Sequence, residues 1–261
     1  MNAQPIIQIT DLEFQYDGGE FRLRLPQLSV SAGQKVAMIG PSGTGKTTVL
    51  HLLAGIRTPL SGQIQVVDAR IHELSDSDRR RFRIAHIGFV FQDFELLEYL
   101  NVLDNMLHPY RLNPALKLDT EVKQRAIALA QQLGIADKVK RSVKALSQGE
   151  RQRVAICRAL LPQPKVLLAD EATGNLDPAN KQRILDILFN YVDEHQATLL
   201  AVTHDYELLD RFDQVIDLKT AMTMTATAND ATVEEKSKAW AGVKQAEEAE
   251  EAGGAGMPAR R

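Results

Sequence analysis

The 261 residues are 44% hydrophobic and 25% charged, enough to bury a sizeable core, and a formal net charge of -3 gives no basic excess for generic attraction to nucleic acid. The single cysteine, Cys157, forms no internal disulfide and argues against a cysteine-based metal centre; it reads as a small packed residue. Residues 1–14 lack a basic segment followed by an apolar core, so no secretory signal is expected, and no apolar stretch has the length of a bilayer span.

Along the chain, Ile6 to Tyr16 and Phe21 to Val30 read as two strands joined at a Gly18-Gly19 turn, a β-rich N-terminal edge. Lys35–Ile39 is a short apolar run, and it leads directly into Gly40-Pro41-Ser42-Gly43-Thr44-Gly45-Lys46-Thr47, which fits G-x-x-x-x-G-K-[ST]. Strand, glycine loop and helix in that order let backbone N–H groups and a helix N-terminus wrap a polyphosphate. Lys46 is suited to neutralising β- and γ-phosphates and the Thr47 hydroxyl to holding Mg²⁺, while Thr48 to Ala54 continue as a helix. Between Gln92 and Leu146 the pattern is mainly helical and predicts an inserted helical unit, within which Glu121–Leu133 has helical spacing.

Ser147 and Glu150 have capping-box spacing at the start of a helix covering Arg151 to Leu161. Val166–Ala169 predicts a strand that delivers Asp170 and Glu171 at its carboxyl end, where open α/β sheets bind ligands. One carboxylate can serve a Mg²⁺ shell and the other can orient an attacking water. Gln182–Tyr191 is helical in spacing, and the strand–helix alternation as a whole is that of an α/β protein. After about Lys219 the composition turns to Ala, Thr, Glu and Gly, which favours a disordered tail over residues 220–261, with a transient helix over Glu234 to Glu251 as the alternative.

Taken in order, the phosphate loop, Gln92, Leu146–Glu150, Asp170-Glu171, Asn175-Leu176-Asp177 and His204 resemble the ATPases of ABC transporters, over roughly Ile6 to Leu218. The resemblance implies a RecA-like P-loop core with an N-terminal antiparallel β-subdomain and a helical subdomain at about residues 93–160, within a cassette of residues 1–219. It makes Gln92 the glutamine that approaches Mg²⁺ and the attacking water, His204 a γ-phosphate switch, and Tyr16 the aromatic beside adenine. ATP would be held by Tyr16, the loop from Gly40 to Thr48, and Gln92, with Thr47, Gln92 and Asp170 around Mg²⁺ and with Glu171, His204 and Lys46 catalytic. Ser147, Gln148, Gly149 and Glu150 correspond to a signature, usually Leu-Ser-Gly-Gly-Gln, that grips the nucleotide of a second subunit. Here Gln148 replaces a glycine and Glu150 a glutamine.

The same resemblance implies a homodimer that closes on ATP and powers a separate membrane permease from the cytoplasmic face, with no nucleic-acid partner. Within the family the wording is similar to lipoprotein-releasing, macrolide-exporting and cell-division systems. A soluble ABC ATPase and a regulatory ATP switch are the alternatives. Residues 93–102, rich in apolar side chains, either pack inward or border a groove for the permease.

Overall fold

The structure, a computed structural model, describes residues 5–174 and 178–223. Strands β1 (Pro5–Gln15) and β2 (Arg22–Ser31) each bury one set of side chains, and they pair antiparallel from Gln15–Arg22 outwards. At the turn Gly18 takes a φ of 70° and the Gly19 N–H donates to the Tyr16 carbonyl at 3.1 Å. Strands β4 (Ser61–Val66) and β5 (Ala69–Arg70) complete an antiparallel sheet of order β2-β1-β4-β5.

A second sheet combines β3 (Lys35–Ile39), β6 (Ile87–Val90), β7 (Val166–Asp170), β8 (Thr198–Val202) and β9 (Gln214–Asp217). Its order is β6-β7-β8-β3-β9 and every pairing is parallel. Strands β7 and β8 are buried at every position, as continuous apolar runs in a covered parallel sheet should be. Because the strands run one way, the loops leaving β3, β6, β7 and β8 all emerge at one edge, and those loops carry Lys46, Gln92, Glu171 and His204.

The helices are α1 (Lys46–Leu53), α2 (Asp76–His86), α3 (Val102–Leu112), α4 (Thr120–Gln132), α5 (Gln148–Leu160), α6 (Pro178–His195) and α7 (Leu218–Thr223). Ser75, Asn101, Asp119 and Ser147 cap α2 to α5 respectively, each side chain accepting a backbone N–H of the first turn. Helices α3 to α5 form the inserted helical unit, with α3 and α5 in extensive contact around Met106, Leu107, Val154 and Ile156. A separate core lies between the antiparallel sheet and α1, around Ile7, Leu25, Leu50 and Leu53. The fold is therefore the expected α/β P-loop architecture with an antiparallel N-terminal sheet and a helical insertion.

Helices α1, α5 and α7 differ in extent from the sequence reading; α5 begins at Gln148, ahead of the expected Arg151. Helix α1 begins at Lys46, two residues before the expected start. Residues 220–223, assigned by composition to the tail, belong to α7; Leu218 is fully buried and Ala221 and Met222 pack against the core beneath the antiparallel sheet. Residues 224–261 lie outside the described residues.

Candidate active site

Three glycines of the loop between β3 and α1 have positive φ: 148° at Gly40, 78° at Gly43 and 97° at Gly45. These conformations fold the loop back so that Lys46 Nζ donates to the carbonyls of Gly40 (2.7 Å) and Pro41 (2.9 Å), and Thr44 Oγ1 donates to Pro41 (2.9 Å). Gly45 precedes α1 and supplies no side-chain cap, so first-turn N–H groups face the loop, the arrangement that receives anions. At the far end of α1, Arg83 donates to the carbonyls of Ala54 (3.1 Å) and Gly55 (3.2 Å), a cation at the helix C-terminus that complements its dipole.

A cleft of about 380 Å³ opens over this loop. It is lined by Tyr16, Ser42, Gly43, Gly45, Lys46, Thr47, Thr48, Gln92, Glu171 and His204, all singled out in the sequence, together with Phe21. Gly40, Pro41 and Thr44 shape the loop from behind. Glu171 is the meeting point: one carboxylate oxygen lies 3.0 Å from His204 Nε2, and the other accepts from Gln92 Nε2 at 3.2 Å. Its backbone is left-handed, φ 49°, which costs a residue with a Cβ about 1–2 kcal/mol. The Glu171 N–H donates to the Val202 carbonyl at 3.1 Å, so the end of β7 is tied to the strand that delivers His204.

Asp170 lies beneath, only 3% exposed. Burial raises its carboxyl pKa above the ordinary range, with the Thr47 hydroxyl pulling the other way, and its Oδ1 has no hydrogen-bond partner among the described residues. Burial also lowers the Lys46 pKa, opposed by the charges of Glu171 and Asp170. A buried carboxylate oxygen without a donor, next to a threonine hydroxyl, is a fitting place for a hard cation. Among the described residues no group of three or more His, Cys, Asp or Glu forms a self-sufficient metal cage, and Mg²⁺ is the ion that relies on one or two carboxylates and completes its shell with phosphates.

The wall of the cleft around Tyr16 is more elaborate than the sequence alone implies. Tyr16 donates or accepts through its hydroxyl with Thr48 Oγ1 at 3.0 Å, meets Phe14 edge-on at 4.8 Å, and carries the Arg57 guanidinium 5.4 Å over its ring. Phe21 stands 6.0 Å from Tyr16, and its ring tip would be 2.8 Å from a Cβ at Gly45. Neither Phe21 nor Arg57 is marked by a sequence signal, because Phe21 alternates with Leu23 and Leu25 like any inward strand residue.

Ser147, Gln148, Gly149 and Glu150 stand apart from this cleft, at the N-terminus of α5. The capping box is complete: Ser147 Oγ accepts from the Glu150 N–H (3.3 Å), and Glu150 Oε2 accepts from the Ser147 N–H (2.8 Å). Lys138 Nζ reaches Glu150 Oε1 at 2.5 Å, and with these donors the carboxyl pKa falls to about 2. Asn175, Leu176 and Asp177 lie outside the described residues.

The family model for ABC transporters matches residues 23–174. The chain belongs to this family. It is an ABC transporter ATP-binding subunit, and the family hydrolyses ATP. This ABC subunit is 38% identical over 221 residues to an uncharacterized ABC transporter ATP-binding protein, YbbA, of Escherichia coli K12, covering 84% of this chain and 96% of that one. It is also 38% identical over 216 residues to the lipoprotein-releasing system ATP-binding protein LolD of Hydrogenovibrio crunogenus, covering 82% and 93%. Among solved structures it is similar to the ATP-binding cassette MJ0796, dimeric and bound to ADP and Pi, with a TM-score of 0.73 and 27% identity over 81% of this chain and 94% of that one.

Proposed function

We propose that two copies of this subunit close around two ATP molecules with Mg²⁺ and drive a separate membrane permease, in a system of the lipoprotein-releasing type. The reading rests above all on the convergence of Lys46, Gln92, Glu171 and His204 on one cleft at the carboxyl edge of the parallel sheet. The dimer and the permease are supported by the dimeric cassette and the transporter subunits to which the chain is similar.

In this reading Lys46 and the backbone N–H groups of the glycine loop bind the β- and γ-phosphates of ATP. Tyr16 lies against the base. Thr47, Asp170 and Gln92 hold Mg²⁺, which neutralises phosphate charge when bound. Glu171 orients the attacking water and polarises it, while His204 holds the Glu171 carboxylate and contacts the γ-phosphate. Ser147 to Glu150 of each subunit face the nucleotide of the other, and the Lys138 partner offsets the negative charge that Glu150 would bring towards phosphate. Asn175, Leu176 and Asp177 couple the two sites.

Among the described residues no helix is long and apolar enough to cross a membrane. On the strength of its transporter relatives, the subunit is assigned to the cytoplasmic face, peripheral through its permease. Of the apolar residues after Gln92, Phe94, Leu96 and Leu97 are half-buried, whereas Tyr99 is 80% exposed, so Tyr99 is the side chain offered to the partner. The test has two arms. Glu171→Gln with Mg-ATP should elute as a dimer and the same variant without nucleotide as a monomer. Tyr99→Glu should lose co-purification with its permease at unchanged ATP affinity. A Glu171→Gln protein that stays monomeric with saturating Mg-ATP would refute the dimer, and full co-purification of Tyr99→Glu would refute the docking role.

A further inference from the structure

Immediately after Gln92 the backbone takes a shape that side chains resist. Phe94 and Glu95 are consecutive residues with positive φ, 63° and 48°. Neither is Gly, Asn or Asp, and each such conformation costs about 1–2 kcal/mol. The bend is tight: the Phe94 N–H donates to the Phe91 carbonyl at 3.1 Å and the Glu95 N–H to the Asp93 carbonyl at 2.7 Å. Two strained residues in sequence persist only when their surroundings impose them.

The imposing group comes from another element. Arg158, near the end of α5, donates from its guanidinium to the Phe94 carbonyl at 2.6 Å and to the Glu95 carbonyl. One planar fork thus grips the two carbonyls of the strained pair, a match that a lysine ammonium does not reproduce. Burial lowers the Arg158 pKa to about 10, opposed by the nearby Glu95 charge. On the other side of the bend, the segment from Leu97 to Asn101 is fixed independently by the fully buried Asn105. The chain around Gln92 is therefore anchored on β6 before it and by Arg158 and Asn105 after it.

We propose that Arg158 is a positioning residue for hydrolysis: by holding Phe94 and Glu95 left-handed it sets the reach of Gln92 onto the Glu171 carboxylate. It touches neither the nucleotide cleft nor Glu171. Its effect passes through the backbone, from helix α5, capped by Ser147, to the loop that begins at Gln92. Without the fork, the pair relaxes to negative φ and the Gln92 amide moves off Glu171 Oε2.

The inference deepens the proposed role of Gln92 and Glu171, and strain gives it a test that ordinary packing does not share. Steady-state ATP hydrolysis of the full chain is measured for Arg158→Met, for Arg158→Met with Glu95→Gly, and for Arg158→Met with Glu95→Ala. Arg158→Met is expected to lower kcat about tenfold, as the loss of one such conformation implies, with KM for ATP within about twofold. Glycine takes positive φ without penalty, so Glu95→Gly should restore most of the lost rate. Glu95→Ala removes the same carboxylate without easing the backbone and should restore none. Arg158→Lys keeps the charge but not the fork, and is expected to be slowed about threefold or more; it carries the test if Arg158→Met does not fold. Unchanged kcat in Arg158→Met or Arg158→Lys overturns the proposal, as does equal behaviour of the Gly and Ala double variants. Loss of ATP hydrolysis in Glu171→Gln alongside such an outcome would leave the assigned catalytic site standing and remove only Arg158 from it.

Discussion

His204 and Glu171 are joined at 3.0 Å across the ends of two neighbouring parallel strands, and the Gln92 amide reaches the other Glu171 oxygen at 3.2 Å. Glu171→Gln keeps the volume and an acceptor for Gln92 but removes the carboxylate proposed as the base. Hydrolysis should fall at least about a hundredfold while ATP affinity stays within about threefold. Paired measurements of steady-state turnover and equilibrium binding check this, and near-normal turnover would displace Glu171 from its assigned role.

The cap at Ser147 is expected to be pH-sensitive. Lys138 and the Ser147 N–H depress the Glu150 pKa from 4.5 to about 2, so the unfolded chain binds this proton first. The stabilisation is therefore full above about pH 4.5 and is lost as pH falls towards 2. Glu150→Gln should melt below the wild type at pH 7, and the gap should close as the solution is acidified through that window. A gap that is constant from pH 7 to pH 3 would show that the Lys138 contact does not stabilise the fold.

Tyr16, proposed to lie against the base, is braced by Thr48, Phe14 and Arg57. Stacking on such a preset ring is worth about 1–3 kcal/mol. Tyr16→Ala should weaken ATP binding about tenfold by calorimetry, and Tyr16→Phe, which loses only the Thr48 hydroxyl contact, should weaken it by about threefold or less. Equal affinity of wild type and Tyr16→Ala would remove this wall from the base site.

Truncation at two points separates α7 from the residues beyond it. Removal of residues 224–261 should leave ATP affinity unchanged, since every assigned site residue lies upstream, and it sets the reference melting temperature. Removal from Thr220 onwards strips Ala221 and Met222 from the core and should lower the melting temperature by several degrees below that of the shorter truncation. Two truncations with the same melting temperature would show that α7 adds nothing to stability.

The phosphate loop and the Asp170-Glu171 pair are legible in the sequence because strong local constraints act there: glycines where φ is positive, and carboxylates ending an apolar strand. Strands β4 and β5 and helix α2 are not. Helix α2 has no fully buried residue, so it carries little apolar periodicity to read; it is placed by its Ser75 cap, by the half-buried Phe82 against the core and by Arg83 on the end of α1. The same limit hides Phe21, Arg57 and Arg158, whose roles come from contacts with residues far along the chain. Helix α1 starts earlier than its apolar pattern implies because Gly45 itself ends the loop and leaves Lys46 already helical. Left-handed φ at Phe94, Glu95 and Glu171 leaves no trace in residue type, since none is a residue that favours it.

Asn105 accepts from the Leu97 N–H at 2.8 Å and donates to the carbonyls of Leu97 (3.1 Å) and Asn101 (3.0 Å). One interior amide thus ties down the backbone of this stretch, while the Tyr99 side chain stands 80% exposed. The exposed side chain and the amide that secures its backbone are separate, so a substitution at Tyr99 should leave the chain that follows Gln92 in place.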